Sequence, residues 1–438
     1  MKINSAKSIA GTIGLPGDKS ISHRAAIFSA MAVGETHIRN YATSADCAAT
    51  LKCLAALGVG IVREGSNVVI RGVGKKGFSP SDSDLDCENS GTTMRLLSGL
   101  LAGQGFGSVL IGDQSLRKRP MKRVIEPLSL MNAKIEAVDN RAPLKIWGKN
   151  PLRSINFELP AASAQTKSCI LLAGLNADGE TSILERIPTR DHTERMLRWF
   201  GVDVREIELS GAKKLSISGD SSLTAKDLHI PADVSSAAFF IVAAACLKDS
   251  AIVIPNVGLN PSRTALISVL QEFGADIEVF ARREICNEPV GSLRVRGNSG
   301  ILPKPAQKAL NGRVIANLID EIPILAVAGT QLENGLEIRN ASELRIKESD
   351  RIAAVVSNLR KMNATIEEFE DGFRVENSEL KGAVVDSFGD HRIAMAFAVA
   401  GLLASGETEI VGAECSAVSF PGFFDTLSSV INEGKGSW

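Results

Sequence analysis

The sequence predicts an α/β protein of two domains, each built from three β-α-β-α-β-β repeats. Three observations carry that expectation. One pattern returns six times: a polar start, an apolar helix, a turn of the Gly-Glu-Thr type, then a strand. The turns closing these helices fall at Gly34, Gly107, Gly179, Ser250, Gly335 and Gly406, spaced by 73, 72, 71, 85 and 71 residues. Between them lies a second half-unit of one-sided helix, strand, turn and strand. A period this regular means one supersecondary unit used repeatedly.

The apolar helices begin within 17–32, 88–103, 162–175, 232–247, 319–332 and 389–404. They are apolar nearly all round, so each should be buried in its domain. The second helices fall in 46–61, 119–135, 191–204, 260–277, 348–366 and 419–434. They are one-sided, should lie nearer the surface, and most end near Gly or Asn, which suits a helix C-terminus. The sixth unit lacks its final strands, and strand-like sequence stands ahead of the first helix, in KINSAKSIAGTIGLPG. The simplest closure places that N-terminal strand beside the C-terminal repeat. The domains expected are then 17–230, and 1–16 joined to 231–438, with an active site in a cleft between them. The wide fourth spacing is ascribed to an insertion around 282–305.

Bulk properties exclude several classes. The 438 residues carry a net charge of −1, and aromatic residues make up 5% with a single tyrosine, so neither a basic surface nor base-stacking platforms for nucleic acid are expected. The seven cysteines form no CxxC pair and several sit in apolar helical runs, as reduced core thiols of a cytoplasmic protein would. No charged-then-apolar leader is present, and no apolar run reaches the ~18 residues of a membrane span. The histidines show no metal-ligand spacing. A monomer is the default oligomeric state.

Helix starts offer unpaired N–H groups and about half a positive charge, which favours anions. Gly14-Leu-Pro-Gly17-Asp18-Lys19-Ser20 resembles a phosphate loop, but Asp18 stands where a Walker motif needs Gly, so ATP chemistry is not supported. Lys19, Ser20 and Arg24 nevertheless gather two cations and a hydroxyl at the first helix, an arrangement that opposes the dipole unless an anion joins them. Gly91 opens the second helix with small neighbours, and Arg119 precedes Pro120. Ser163, Gln165 and Lys167 carry groups able to grip phosphate and hydroxyls at the third helix. Arg190 stands just before Asp191-His192. Asp320-Glu321 starts an otherwise apolar helix, where an N-cap reading competes. Lys347-Glu348-Ser349-Asp350-Arg351 is a charged run, and Arg392 follows Asp390-His391.

Ten stretches in order, GDKSISHR, NSGTTMR, KRPM, SAQTK, RDHTE, NPSR, IDEIPILAVA, ELRIKESDR, GDHRIAM and SFPGFF, closely resemble the 5-enolpyruvylshikimate-3-phosphate synthase family, in its class II-like variant, over about residues 7–428. The resemblance implies the enolpyruvyl transferase fold, an inside-out α/β barrel, and transfer of the enolpyruvyl group of phosphoenolpyruvate to the 5-hydroxyl of shikimate 3-phosphate. It implies no cofactor and no metal. By motif, Lys19, Gly91, Arg119, Gln165, Arg351 and Arg392 would hold phosphoenolpyruvate. Lys19, Ser20, Arg24, Ser163, Gln165, Arg190, Asp320 and Lys347 would hold shikimate 3-phosphate. The catalytic set would be Lys19, Asp320 and Glu348, with Asp320 as base and Glu348 protonating the methylene carbon. Glyphosate, a phosphoenolpyruvate mimic, is a candidate inhibitor. Gly91 leaves room for it, whereas the class II-like motifs point to tolerance.

Charge accounting agrees. The two substrates together bring roughly −5 to −6, against seven cations: Lys19, Arg24, Arg119, Arg190, Lys347, Arg351 and Arg392. Such cations would repel one another in an empty closed site, so ligand should drive closure. The sequence departs from many family members at Val418, where a late lysine is common. A related transferase acting on UDP-N-acetylglucosamine typically carries a cysteine where Gln114 stands. A non-catalytic binder of phosphometabolites on the same scaffold would not need the acid pair Asp320 and Glu348.

Overall fold

A computed structural model describes residues 1–297 and 309–432. The chain divides into two compact units. One holds Gly17–Ile230 with Ile285–Glu288; the other holds Met1–Pro16, Pro231–Glu284 and Pro289–Trp438.

In the unit of 17–230 the helices are α1 (Lys19–Met31), α2 (Ala45–Ala56), α3 (Gly91–Ala102), α4 (Lys122–Leu130), α5 (Ala164–Gly174) and α6 (His192–Trp199). The odd-numbered helices are buried almost throughout, as an all-round apolar sequence requires. Helices α3 and α5 approach so closely that a Cβ on Gly99 would stand 2.2 Å from the Cys169 carbonyl oxygen. Three four-stranded sheets surround them, all of one topology. In the second repeat, 85–86 runs parallel to 107–111, which pairs antiparallel with 141–147, itself antiparallel to 134–138. The parallel step brackets α3 and the antiparallel hairpin follows α4. The first repeat takes its opening strand from the far end of the unit, where Leu228–His229 runs parallel to 38–39.

The other unit contains α7 (Val234–Cys246), α8 (Ala265–Glu272), α9 (Arg313–Leu318), α10 (Ile322–Gly329), α11 (Arg351–Lys361), α12 (His391–Leu403) and α13 (Phe423–Val430). Buried α7, α10 and α12 pack on one another. The N-terminal residues divide between two sheets. Lys2–Ile3 pairs antiparallel with 408–409 of the sixth repeat, while Ser8–Thr12 runs parallel to 251–253 of the fourth.

Two details differ from expectation. Residues 282–296, within the expected insertion, form the far part of a long hairpin, Asp276–Ile285 and Glu288–Arg296. Apolar Val290, Leu293 and Val295, with a Cys-Asn turn at positive φ, support a longer ladder. The remainder of the expected insertion largely lies outside the described residues. The fifth repeat also carries the extra helix α9, formed by the apolar run VIANL.

Candidate functional site

In the unit of 17–230, the N-termini of α1, α3 and α5 are capped by Asp18, Ser90 and Ser163, each accepting from a backbone N–H three residues on. Lys19 Nζ lies 2.9 Å from Asp46 Oδ2 on α2, and the Asp46 carbonyl accepts from Thr93 of α3 at 3.3 Å. Arg24, 3% exposed, uses every guanidinium nitrogen: Nε donates to Thr193 Oγ1 at 2.7 Å, Nη2 to Ser168 Oγ at 2.7 Å and Nη1 to the Ser20 carbonyl at 2.8 Å. One side chain thereby ties α1, α5 and α6 together.

Gly91 lies between two arginines. A Cβ there would stand 2.7 Å from Arg95 Nη1 and 3.4 Å from Arg119 Nη1. Arg119 is held by Asn89 Oδ1 at 2.8 Å and Ser115 Oγ at 3.3 Å. Arg95 donates to Gln165 Oε1 at 2.7 Å, and Gln165 donates in turn to Thr92 Oγ1 at 2.9 Å. Gly91, Arg119 and Gln165 therefore form one polar cluster, and Lys19 joins it through Asp46 and Thr93. Arg190 is half-buried beside Thr189, whose N–H donates to Glu185 at 2.9 Å. Lys167, grouped by sequence with the gripping residues, is instead sealed inside and paired with Glu185 and Glu194. His23, fully buried against Thr50, is held neutral: burial foremost, then Lys19 and Arg24, outweigh Asp46 and lower its pKa to about 3.

The other unit is organised around Arg351, 1% exposed. Its Nε donates to Asp390 Oδ2 at 2.8 Å, its Nη2 to Glu348 Oε2 at 2.6 Å, and its Nη1 lies 3.5 Å from Asp320 Oδ1. Burial alone disfavours this guanidinium's charge, but the three carboxylates raise its pKa above the ordinary value. Burial would raise the Asp390 carboxyl, yet Arg351 holds it below the usual range. Asp390 also caps α12 through the Arg392 N–H at 2.9 Å. Arg392 Nη1 donates to the Asp320 carbonyl at 2.7 Å and lies 3.6 Å from Glu321 Oε1. Lys347 keeps partial solvent contact, but desolvation by the surrounding protein lowers its pKa, against the pull of Asp320 and Glu343.

The capping reading of Asp320-Glu321 does not hold. Glu321 occupies the N-cap of α10 without a side-chain capping bond, and its carboxylate takes the Ser235 hydroxyl instead. The helix-start picture also changes in emphasis. Aspartates cap α1, α7 and α12, and a carboxylate at a helix start offsets part of its dipole. In this unit the cations are matched by acids rather than left to repel one another. Sequence reasoning missed Asp46, Arg95 and Asp390. Arg95 sat in the quoted NSGTTMR, four residues after Gly91 and so on the same helix face, a signal that could have found it. Among the described residues no cluster has metal-ligand character, and no helix is long and apolar enough to cross a membrane.

Known proteins resemble this chain over nearly its full length. The family model of EPSP synthase (3-phosphoshikimate 1-carboxyvinyltransferase) matches residues 3–427. The 3-phosphoshikimate 1-carboxyvinyltransferase of Salinibacter ruber is 49% identical, covering 98% of each chain, and that of Solibacter usitatus is 48% identical, covering 98% of this chain and 99% of the other. An EPSP synthase structure from Acinetobacter baumannii superposes with a TM-score of 0.85 at 41% identity, covering 98% of this chain and 97% of that one. With its helix-start clusters, its repeated sheets and this likeness from end to end, the chain belongs to the EPSP synthase family.

Proposed function

We propose that this chain transfers the enolpyruvyl group of phosphoenolpyruvate to the 5-hydroxyl of shikimate 3-phosphate with release of inorganic phosphate, a step of aromatic amino acid biosynthesis. The observation that carries the reading is the family match over residues 3–427, with relatives near half identity named for this activity.

The geometry supports a division of labour. Lys19, Arg119 and Gln165, with Gly91 leaving space beside them, suit phosphoenolpyruvate. Arg24, Ser20, Ser163 and Arg190 suit a compact phosphate ester and ring hydroxyls. In the other unit, Arg351 and Arg392 suit the phosphoenolpyruvate carboxylate, and Lys347 suits shikimate 3-phosphate. Asp320 takes the proton of the 5-hydroxyl while that oxygen bonds to C2 of phosphoenolpyruvate. Glu348 delivers a proton to the methylene carbon. The tetrahedral intermediate then returns a methyl proton to the Glu348 carboxylate as the C2–O bond to phosphate breaks, and the phosphate leaves with the proton held by Asp320. General acid–base groups with fixed cations suffice for these steps.

Arg351 is occupied before substrate arrives. A substrate carboxylate reaching its Nη1 or Nη2 exchanges with Asp320 or Glu348, while Asp390 keeps Nε. Binding thereby releases the two acids the chemistry needs.

Phosphate release with shikimate 3-phosphate and phosphoenolpyruvate tests the reading; no release, or release with UDP-N-acetylglucosamine instead, refutes it. The reading requires both residue sets to reach one substrate pair, so adding both ligands should contract the particle in small-angle scattering. A monomeric, cytoplasmic enzyme, with glyphosate a candidate inhibitor at the phosphoenolpyruvate site, completes the proposal.

A further inference from the structure

We propose that Lys167 is a positioning residue which, through Glu185 and Glu194, sets Arg190 and the adjoining starts of α5 and α6 for the phosphate of shikimate 3-phosphate; this rests on the function proposed above. Lys167, Glu185 and Glu194 are 1%, 2% and 1% exposed, so no ligand reaches them. Lys167 Nζ lies 2.7 Å from Glu194 Oε1 and 3.2 Å from Glu185 Oε1.

The two carboxylates flank Arg190 in the chain. Glu185 ends the strand 180–185 and takes both the N–H and the hydroxyl of Thr189, closing the turn that delivers Arg190. That turn is exposed at 186–188 and has no core of its own. Glu194 lies in the first turn of α6, next to Thr193, whose hydroxyl receives Arg24 Nε. Among the described residues nothing but the Lys167 ammonium serves the Glu194 carboxylate. Ser168, the residue after Lys167, accepts on its hydroxyl oxygen from the other branch of Arg24. One ammonium therefore fixes both ends of the Arg190 segment and the hydroxyl seats of Arg24.

A buried ion triad is seldom the most stable filling for a core, and apolar residues of like volume often serve stability as well or better. The triad's link, through Thr189, Thr193 and Ser168, to the segments that carry Arg190 and hold Arg24 gives it another use. Burial would lower the Lys167 pKa, but Glu194 and Glu185 raise it, so the lysine stays charged across the working range.

The test is Lys167→Met, Lys167→Arg and Thr189→Val, each checked by circular dichroism, with both KM values and kcat measured. Lys167→Met should raise KM for shikimate 3-phosphate at least tenfold and leave KM for phosphoenolpyruvate within twofold. Lys167→Arg should recover part of that loss. Thr189→Val, which removes only the hydroxyl that Glu185 holds, should raise the same KM about threefold and serves if Lys167→Met does not fold. Folded variants with both KM values at wild-type level, or both shifted equally, overturn the positioning role alone. A wild-type protein that releases no phosphate from the pair overturns the functional reading, and this inference with it.

Discussion

The two units hold their cations by different means. In 17–230, Arg24 rests on serine and threonine hydroxyls and a carbonyl, Arg119 rests on Asn89 and Ser115, and Lys19 pairs with Asp46. In the other unit, Arg351 and Arg392 are enclosed by Asp320, Glu321, Glu348 and Asp390. Neutral partners orient a cation and leave its charge available to an incoming anion. Carboxylate partners cancel that charge until a substrate carboxylate takes their place. The first arrangement suits phosphate capture and the second suits proton transfer timed by binding.

The sharpest way to break this contrast is to remove one arginine from each unit. Arg351→Met leaves Asp390 buried and uncompensated, so denaturant unfolding should show a loss of about 3–5 kcal/mol, with phosphate release down roughly 10²–10³-fold. Arg119→Met strands the neutral acceptors of Asn89 and Ser115 and should cost about 1 kcal/mol in stability. Equal losses of stability would erase the distinction.

Next in size, Glu348→Gln and Asp320→Asn should each reduce kcat by about 10²–10⁴-fold while calorimetry still shows shikimate 3-phosphate binding. Loss of binding with kcat unchanged would remove the acids from the chemistry. Gly91→Ala is milder. Its methyl first meets the flexible end of Arg95, which holds Gln165, so KM for phosphoenolpyruvate should rise several-fold and a glyphosate inhibition curve should shift with it.

The smallest effect is a pH slope in the first unit. His23 has a folded pKa of about 3, below its unfolded value near 6.5. The unfolded chain alone gains a proton as pH falls, so this contribution is complete above pH 6.5 and declines by about 1.4 kcal/mol per pH unit beneath it. Urea midpoints at pH 7 and 5.5 should converge in His23→Asn relative to wild type; an unchanged slope would free the histidine of this role.

Much of the fold was legible because its signal is periodic. Helices α1, α3, α5, α7, α10 and α12 lie inside the six stretches singled out by their apolar content. Counting units leaves the sixth repeat incomplete, and the strand at 2–3 pairs with that repeat. The motif residues were legible too, since the polar starts interrupt apolar sequence. The partners were not. Asp46 pairs with Lys19 across 27 residues and Asp390 with Arg351 across 39, distances at which no local spacing rule applies. Lys167 looked like a gripping residue because it shares the polar run at the start of α5 with Ser163 and Gln165. Only packing shows that a helix turns it inward.

The divided N-terminus bears on the order of events at the ribosome. Residues 2–12 emerge before 17–230, yet their sheet neighbours are 251–253, 408–409 and 431–432, so they wait while the inserted unit 17–230 is synthesised and can collapse around its own three sheets. A segment made before that unit is thus seated after it, and a nascent chain arrested near residue 240 should already protect 17–230 from protease while residues 2–12 are still cut.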